Sequence, residues 1–400
     1  MRGVGSPVMG RQRVIPRVEI VVEKEQYFIG RHRFAKPSDE ELEVFTDEIL
    51  DIFGTLRRAV NRTGSIKLDE QFCQEQLIRL AEWGRVAYQA YFGEDGPSKA
   101  LASRLDESVS PTFVSELTVF PWEVFFEGTE ADYEKGNPDC FWGLRYTPAR
   151  ILEPTKDIMD YPAEQVSPSD MLFCLHHKLL QAHRDEQPAI ERIVRNTRQD
   201  RFTLLGPRCK LAVTEECELK GDDFLKYLYK ARHNMLHFAC HCKESRRGNT
   251  LLVSFIQDGD QEDAVRVIEL ETYKFLLRKG QFLQQPLVFL NACQSSGGAD
   301  ELRRTFNLPK VFIEHGAAAV IATACPVPDR FAAAFARKFY ESFLRGRLIM
   351  DDETGEKAVE FMTIGEALQE TRRYFLEELN NPLGLSYGLY SPAHYSLRQP

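Results

Sequence analysis

The sequence has no apolar run long enough to span a bilayer, and no apolar core of the signal-peptide kind near its start. A membrane-embedded enzyme and a secreted chain are therefore not expected, and the expected location is the cytoplasm. Positive charge is in deficit: 51 Lys and Arg stand against 60 Asp and Glu, a formal net charge of −9, which argues against nucleic-acid binding. No CxxC pattern recurs, and the nine cysteines are odd in number and irregularly spaced. This argues against a disulfide framework, and the thiols are expected to be reduced. Tandem repeats and low-complexity tracts are absent, which argues against a solenoid. What the 400 residues do have is material for real cores, 43% hydrophobic and 11% aromatic.

Residues 1–16 carry Arg2, Arg11 and Arg13 and little that packs, so they read as a disordered basic arm. Residues 17–34 alternate (VEIVVEKEQYFI) and predict a strand pair. Ser38 followed by Glu41 is a capping-box signature ahead of a helix over about 39–60. A second helix is predicted over 69–92, with Phe72, Leu77, Leu80, Trp83 and Val86 on one face. LTVFPWEVFF (117–126) and FWGLRY (141–146) read as strands. The proline- and charge-rich 153–170 reads as a linker. The expected division is a smaller N-terminal α/β portion at 17–164 and a main domain at 165–400.

In the main domain the apolar runs MLFCLH (171–176), CKLAVT (209–214), MLHFACH (235–241), LVFLNAC (287–293) and AAVIATAC (318–325) are short. Helical stretches lie between most of them, over 187–198, 222–232, 270–279 and 309–315. TLLVSFI (250–256) reads as an added strand able to pair antiparallel. Two helices, 329–344 and 363–379, close the chain. This alternation predicts an α/β fold, a mainly parallel sheet flanked by helices.

In such sheets function gathers at the carboxyl ends of the strands. One strand delivers His241 (HFACHCKES) and another Cys293 (LNACQSS), 52 residues apart. A thiol with an ordinary pKa is mostly protonated at neutral pH, and an adjacent imidazole both takes its proton and later protonates a leaving amine. The alternatives are a core cysteine and a metal site. A core cysteine does not need the polar turn Gln294–Gly298. A zinc site would draw on Cys240, His241 and Cys242, but alternation sends Cys240 and Cys242 to the face opposite His241. His233 and His237 read as structural or solvent-facing.

Asn291-Ala292-Cys293-Gln294-Ser295 matches the A-C-Q centre of the caspase signature, with its histidine about 50 residues upstream. Over roughly 110–400 the chain resembles the CHAT family, caspase-like domains of the caspase–separase–gingipain clan. The resemblance rests on Pro121-Trp122-Glu123, a strand ending in Arg150, LHFACHC, LVFLNACQS, the segment 311–346 with Phe339-Tyr340, and TIGEALQETRR. It implies a caspase-like sheet with the base at His241 and the nucleophile at Cys293. The oxyanion would be held by the backbone N–H groups of Cys293 and Cys242. Two positions depart from the pattern: Cys242 stands where the family usually has glycine, and Ala324-Cys325 stands where it commonly has leucine-tryptophan.

Substrate contacts are expected from Gln294, from Gly297 and Gly298, where a substrate backbone can approach closely, and from Asp329 as an acidic floor for a basic P1 residue. The competing role for Asp329 is to cap the helix that follows it. The resemblance implies a cysteine endopeptidase needing no cofactor. It would cleave a dedicated protein substrate in prokaryotic signalling or antiviral defence, for example a gasdermin-like pore former, under an activating partner or upstream sensor. The alternative is a catalytically inactive module on the same fold; an acyl-transferring thiol enzyme also stays open.

Overall fold

The start of the chain forms three strands rather than two. β1 (Arg17–Val22), β2 (Gln26–Ile29) and β3 (His32–Ala35) make an antiparallel meander, with Gly30 in the left-handed region (φ 61°) at the second turn. In this computed structural model the described residues are 16–93, 95–106, 109–115, 120–152, 165–166, 170–176, 179–198, 201–205, 221–230, 233–245, 248–256, 265–271, 280–293, 307–345, 347–350, 357–391 and 396–397. The basic arm, the expected strand 209–214 and most of the expected linker lie outside them.

The remaining strands are β4 (Ser110–Val114), β5 (Ala149–Ile151), β6 (Gln165–Val166), β7 (Asp170–Leu175), β8 (Arg201–Leu205), β9 (Met235–Ser245), β10 (Gly248–Ile256), β11 (Val265–Glu271), β12 (Leu287–Cys293), β13 (Ala319–Thr323), β14 (Arg347–Met350), β15 (Lys357–Glu360), β16 (Tyr387–Tyr390) and β17 (Ser396–Leu397). Thirteen of them form one sheet, in the order β11-β10-β9-β12-β13-β16-β5-β4-β1-β2-β3, with β7 on β9 and β8 on β7. β8, β7, β9, β12 and β13 run parallel to one another. So do β16, β5, β4 and β1. The two blocks meet antiparallel at β13–β16. The mixed α/β architecture with a largely parallel sheet is as expected. One sheet crosses the expected division at 164/165, through the pairing of Tyr390 with Arg150.

The central strands are apolar on both faces because both are covered. Met235, Leu287, Phe289 and Ile321 belong to one apolar core with the helices Asp329–Leu344 and Ile364–Glu377, and that core extends to the N-terminal helices Asp39–Thr63 and Glu70–Phe92. Leu236, Phe238, Val288 and Val320 pack on the other face against Gly221–Lys230 and Asn307–Glu314. The helix starts follow local chemistry. The Ser38/Glu41 capping box is present, and Thr363/Glu366 forms another.

Three expectations are corrected. Segment 117–126 is not a strand where it is described: Trp122–Val124 is a single 3₁₀ turn. Segment 141–146 holds a short helix, Trp142–Arg145. Both are apolar because Phe113, Trp122, Phe125 and Trp142 form a buried ring cluster, with Phe113 and Trp122 stacked at 3.8 Å. Surroundings apolar on every side carry no period-two signal. The helix expected over 270–279 is strand at its described start, since Leu270 pairs with Leu251 in the β10–β11 ladder.

Candidate active site

The site is a matter of register. β9 and β12 are adjacent parallel strands, and their ladder runs from Met235↔Leu287 to His241↔Cys293. The two expected residues are therefore direct partners, about 4.8 Å apart in strand spacing, at positions that share one face of the sheet. His241 is half-buried. β9 does not stop at His241, as the sequence reading had it, but runs on through Cys242 to Ser245. The neighbours change there instead. One edge of β9 pairs with β12. The other pairs first with β7, as far as Ala239, and then with β10 from His241 onward. Cys242 lies in the β10 hairpin, opposite Leu251. Gln294, Gly297 and Gly298 lie outside the described residues.

The end of a third strand meets β9 here. β7 ends at Leu175, and the N–H of the next residue, His176, donates to the carbonyl of Ala239 at 2.8 Å. The His176 ring is 4% exposed and stands edge-on to that of His241, centroids 4.6 Å apart and planes at 73°. The sequence reading passed over His176; its signal was its place at the end of the run MLFCLH.

Beneath these residues lies a buried polar network. Asn291 donates through Nδ2 to Glu186 Oε1 (2.6 Å) and to the Ala332 carbonyl (2.8 Å), and its Oδ1 accepts from the Tyr387 hydroxyl (2.7 Å). Glu186 Oε1 also lies 2.9 Å from His237 Nε2, and His237 Nδ1 lies 3.3 Å from the Tyr340 hydroxyl. His237 is held between the stacked rings of Phe173 and Phe289, so it is structural. Glu186 closes a single π-turn, Ala182–Glu186, whose extra residue accompanies its burial. The network ties β9, β12, β16 and two helices together two to four residues behind His241 and Cys293.

Asp329 is half-buried at the start of its helix. Its carboxylate accepts the Gln181 N–H at 3.1 Å, so it braces the segment after β7. Pro328 is the N-cap of its own helix, which Asp329 opens. Burial pushes its pKa up to about 6, aided by the charge of Glu186 and opposed by hydrogen bonds from the Gln181 and Ala182 amides. Ala324 and Cys325 are buried in the core. A groove of about 1280 Å³, lined among others by Tyr88, Glu127, Lys338 and Arg373, does not include His241. Among the described residues no group of three His, Cys, Asp or Glu side chains is placed to hold a metal ion, and no helix is long and apolar enough to cross a membrane.

The model of the CHAT domain matches residues 113–378. The chain belongs to the CHAT family. The CHAT match starts inside β4 and takes in Glu123 and Arg150 as well as the two strand ends. A probable protease of Vitiosangium sp. (strain GDMCC 1.1324) is 26% identical over 258 residues, 62% of this chain and 29% of that protein. The chain thus matches under a third of that relative's length. Among solved structures it is similar to the Arg-specific cysteine proteinase gingipain R, with a TM-score of 0.45 and 10% identity over 98% of this chain and 80% of that one. It is also similar to the separase–securin complex of Saccharomyces cerevisiae, with a TM-score of 0.39 and 13% identity over 88% and 23%.

Proposed function

We propose that this CHAT protein is a cysteine endopeptidase working through a Cys293–His241 dyad. The observation that carries the reading is the His241↔Cys293 register. His241 takes the thiol proton, and the thiolate attacks the scissile carbonyl. Collapse of the tetrahedral adduct breaks the C–N bond, with the proton passing from His241 to the leaving amine. Water activated by His241 then hydrolyses the thioester. The backbone N–H groups of Cys293 and Cys242 would hold the oxyanion. The expected task is limited proteolysis of a dedicated protein in the cytoplasm, in prokaryotic signalling or antiviral defence. A gasdermin-like pore former is the example substrate, and a partner or sensor would control the enzyme.

The test is labelling with peptide acyloxymethyl ketones carrying Arg, Lys, Asp or Leu at P1, with the adduct located by mass spectrometry. Labelling is expected at Cys293 alone and to be lost in Cys293→Ala and His241→Ala. Adduct at another cysteine, or undiminished labelling in His241→Ala, would overturn the dyad. Failure of a co-expressed gasdermin-like protein to be cut by a labelling-competent enzyme would remove that substrate only.

One observation favours the second reading, an inactive CHAT-fold interaction module. The backbone at Cys242 is part of a continuing strand, whereas a glycine there would be freer to turn its N–H toward an oxyanion. Cys242→Gly distinguishes the two: a gain of labelling from none supports the module.

A further inference from the structure

We propose that His176 is a positioning residue for His241, one that sets the orientation of its imidazole. The consequence for catalysis rests on the peptidase reading above; the effect on the ring does not.

The backbone of His176 is pinned by the hydrogen bond to Ala239, which extends the β7–β9 ladder one residue past Leu175. Strict alternation would send residue 176 to the face opposite Leu175. The chain leaves the strand there, and the ring meets that of His241 edge to face. His176 is almost wholly buried whereas His241 is half-buried. The fixed ring is therefore the inner one, and the ring it touches is the one that opens toward solvent. An imidazole on a strand has two free torsions, and a base must keep one nitrogen aimed at its thiol throughout turnover. An edge-on aromatic contact at this distance is attractive and directional. It restricts the His241 ring from the β7 side, while Cys293 stands on the β12 side. The alternative is that His176 only fills space.

The experiment uses the full chain with His176→Ala, which removes the ring edge, and His176→Phe, which keeps a flat ring in place. His176→Leu, filling similar volume without a flat edge, stands in if the alanine variant does not fold. Two readouts are taken. The first is kcat and KM on the peptide preferred by the labelling probes. The second is the long-range ¹H–¹⁵N spectrum of the His241 ring in ¹⁵N-histidine-labelled protein, assigned with His241→Gln. In His176→Ala, kcat is expected to fall about tenfold with KM changed less than about twofold, the size of effect that misplacement of a catalytic group produces. The His241 ring signals are expected to move toward the pattern of a freely averaging tautomer pair, and His176→Phe should restore both readouts. Unchanged His241 signals in a folded His176→Ala, or an equal loss in the phenylalanine variant, would overturn the proposal. If the wild-type chain cleaves nothing, the peptidase reading fails on the first readout, and the ring spectrum still decides the role of His176.

Discussion

Glu123 and Arg150 meet side by side in the interior, through hydrogen bonds of 2.6 and 2.5 Å, with the arginine and glutamate side chains 5% and 1% exposed. Arg372 joins them, 3.4 Å from the same carboxylate. Two guanidiniums thus share one carboxylate, and burial draws Arg372 down to about 10, with Glu123 opposing and Arg150 reinforcing. The balance comes from the carbonyls of Phe120, Gly143 and Tyr387 and from the Tyr390 ring under Arg150. This joint sits where β5 meets β16, so it fastens the N-terminal block to the block that carries the site. Glu123→Ala would strand two buried cations. The expected loss is about 3–5 kcal/mol in urea unfolding, the range for a broken buried pair. A loss under about 1 kcal/mol would show the joint to be dispensable.

Gly84 lies where the helix Glu70–Phe92 crosses the turn that follows Glu123. A Cβ there would sit 2.1 Å from the Val124 carbonyl oxygen, a backbone atom with little room to yield. Gly84→Ala is expected to lower stability by about 1–3 kcal/mol through overpacking, despite alanine's better helix propensity. Thermal unfolding of the pair checks this, and a stabilised variant would contradict it.

The raised pKa of Asp329 has a consequence for acid stability. Its ordinary value is 3.8 and its folded value about 6, so the folded state holds the proton more tightly. The stability this group adds is complete below about pH 4 and lost as pH rises through about 6. Asp329→Asn keeps an oxygen for the Gln181 N–H and should remove that component. Its unfolding free energy relative to wild type is expected to rise between pH 4 and 6 and then level off, measured by denaturant titration across that range.

Tyr387→Phe removes the donor to Asn291 Oδ1 and leaves that buried oxygen unpaired. A cost of about 1–3 kcal/mol is expected. Because Asn291 is two residues before Cys293 on β12, alkylation of Cys293 by the probes is expected to slow as well. Stability loss with an unchanged labelling rate would confine the network to a structural role.

Much of this molecule follows from local chemistry. Ser38/Glu41 set a helix start, alternation marked β1, and the runs ending in His241 and Cys293 marked two strands with reactive residues near their ends. These signals are carried by the chain itself, in period, caps and turn residues. Where Trp122 and Trp142 lie, local sequence misled: an apolar run has the same composition whether it is a strand or a pair of short turns in an aromatic cluster. Other features depended on the tertiary structure alone. The short strand YGLY joins two parallel blocks into one sheet, and the Arg150 and Arg372 side chains that meet Glu123 beside it come from distant parts of the chain. The register of β9 against β12, which makes partners of His241 and Cys293, is set by side chains 50 and more residues apart packing on both faces. His176 reaches His241 for the same reason: strand order is a property of the assembled sheet, and no stretch of sequence carries it.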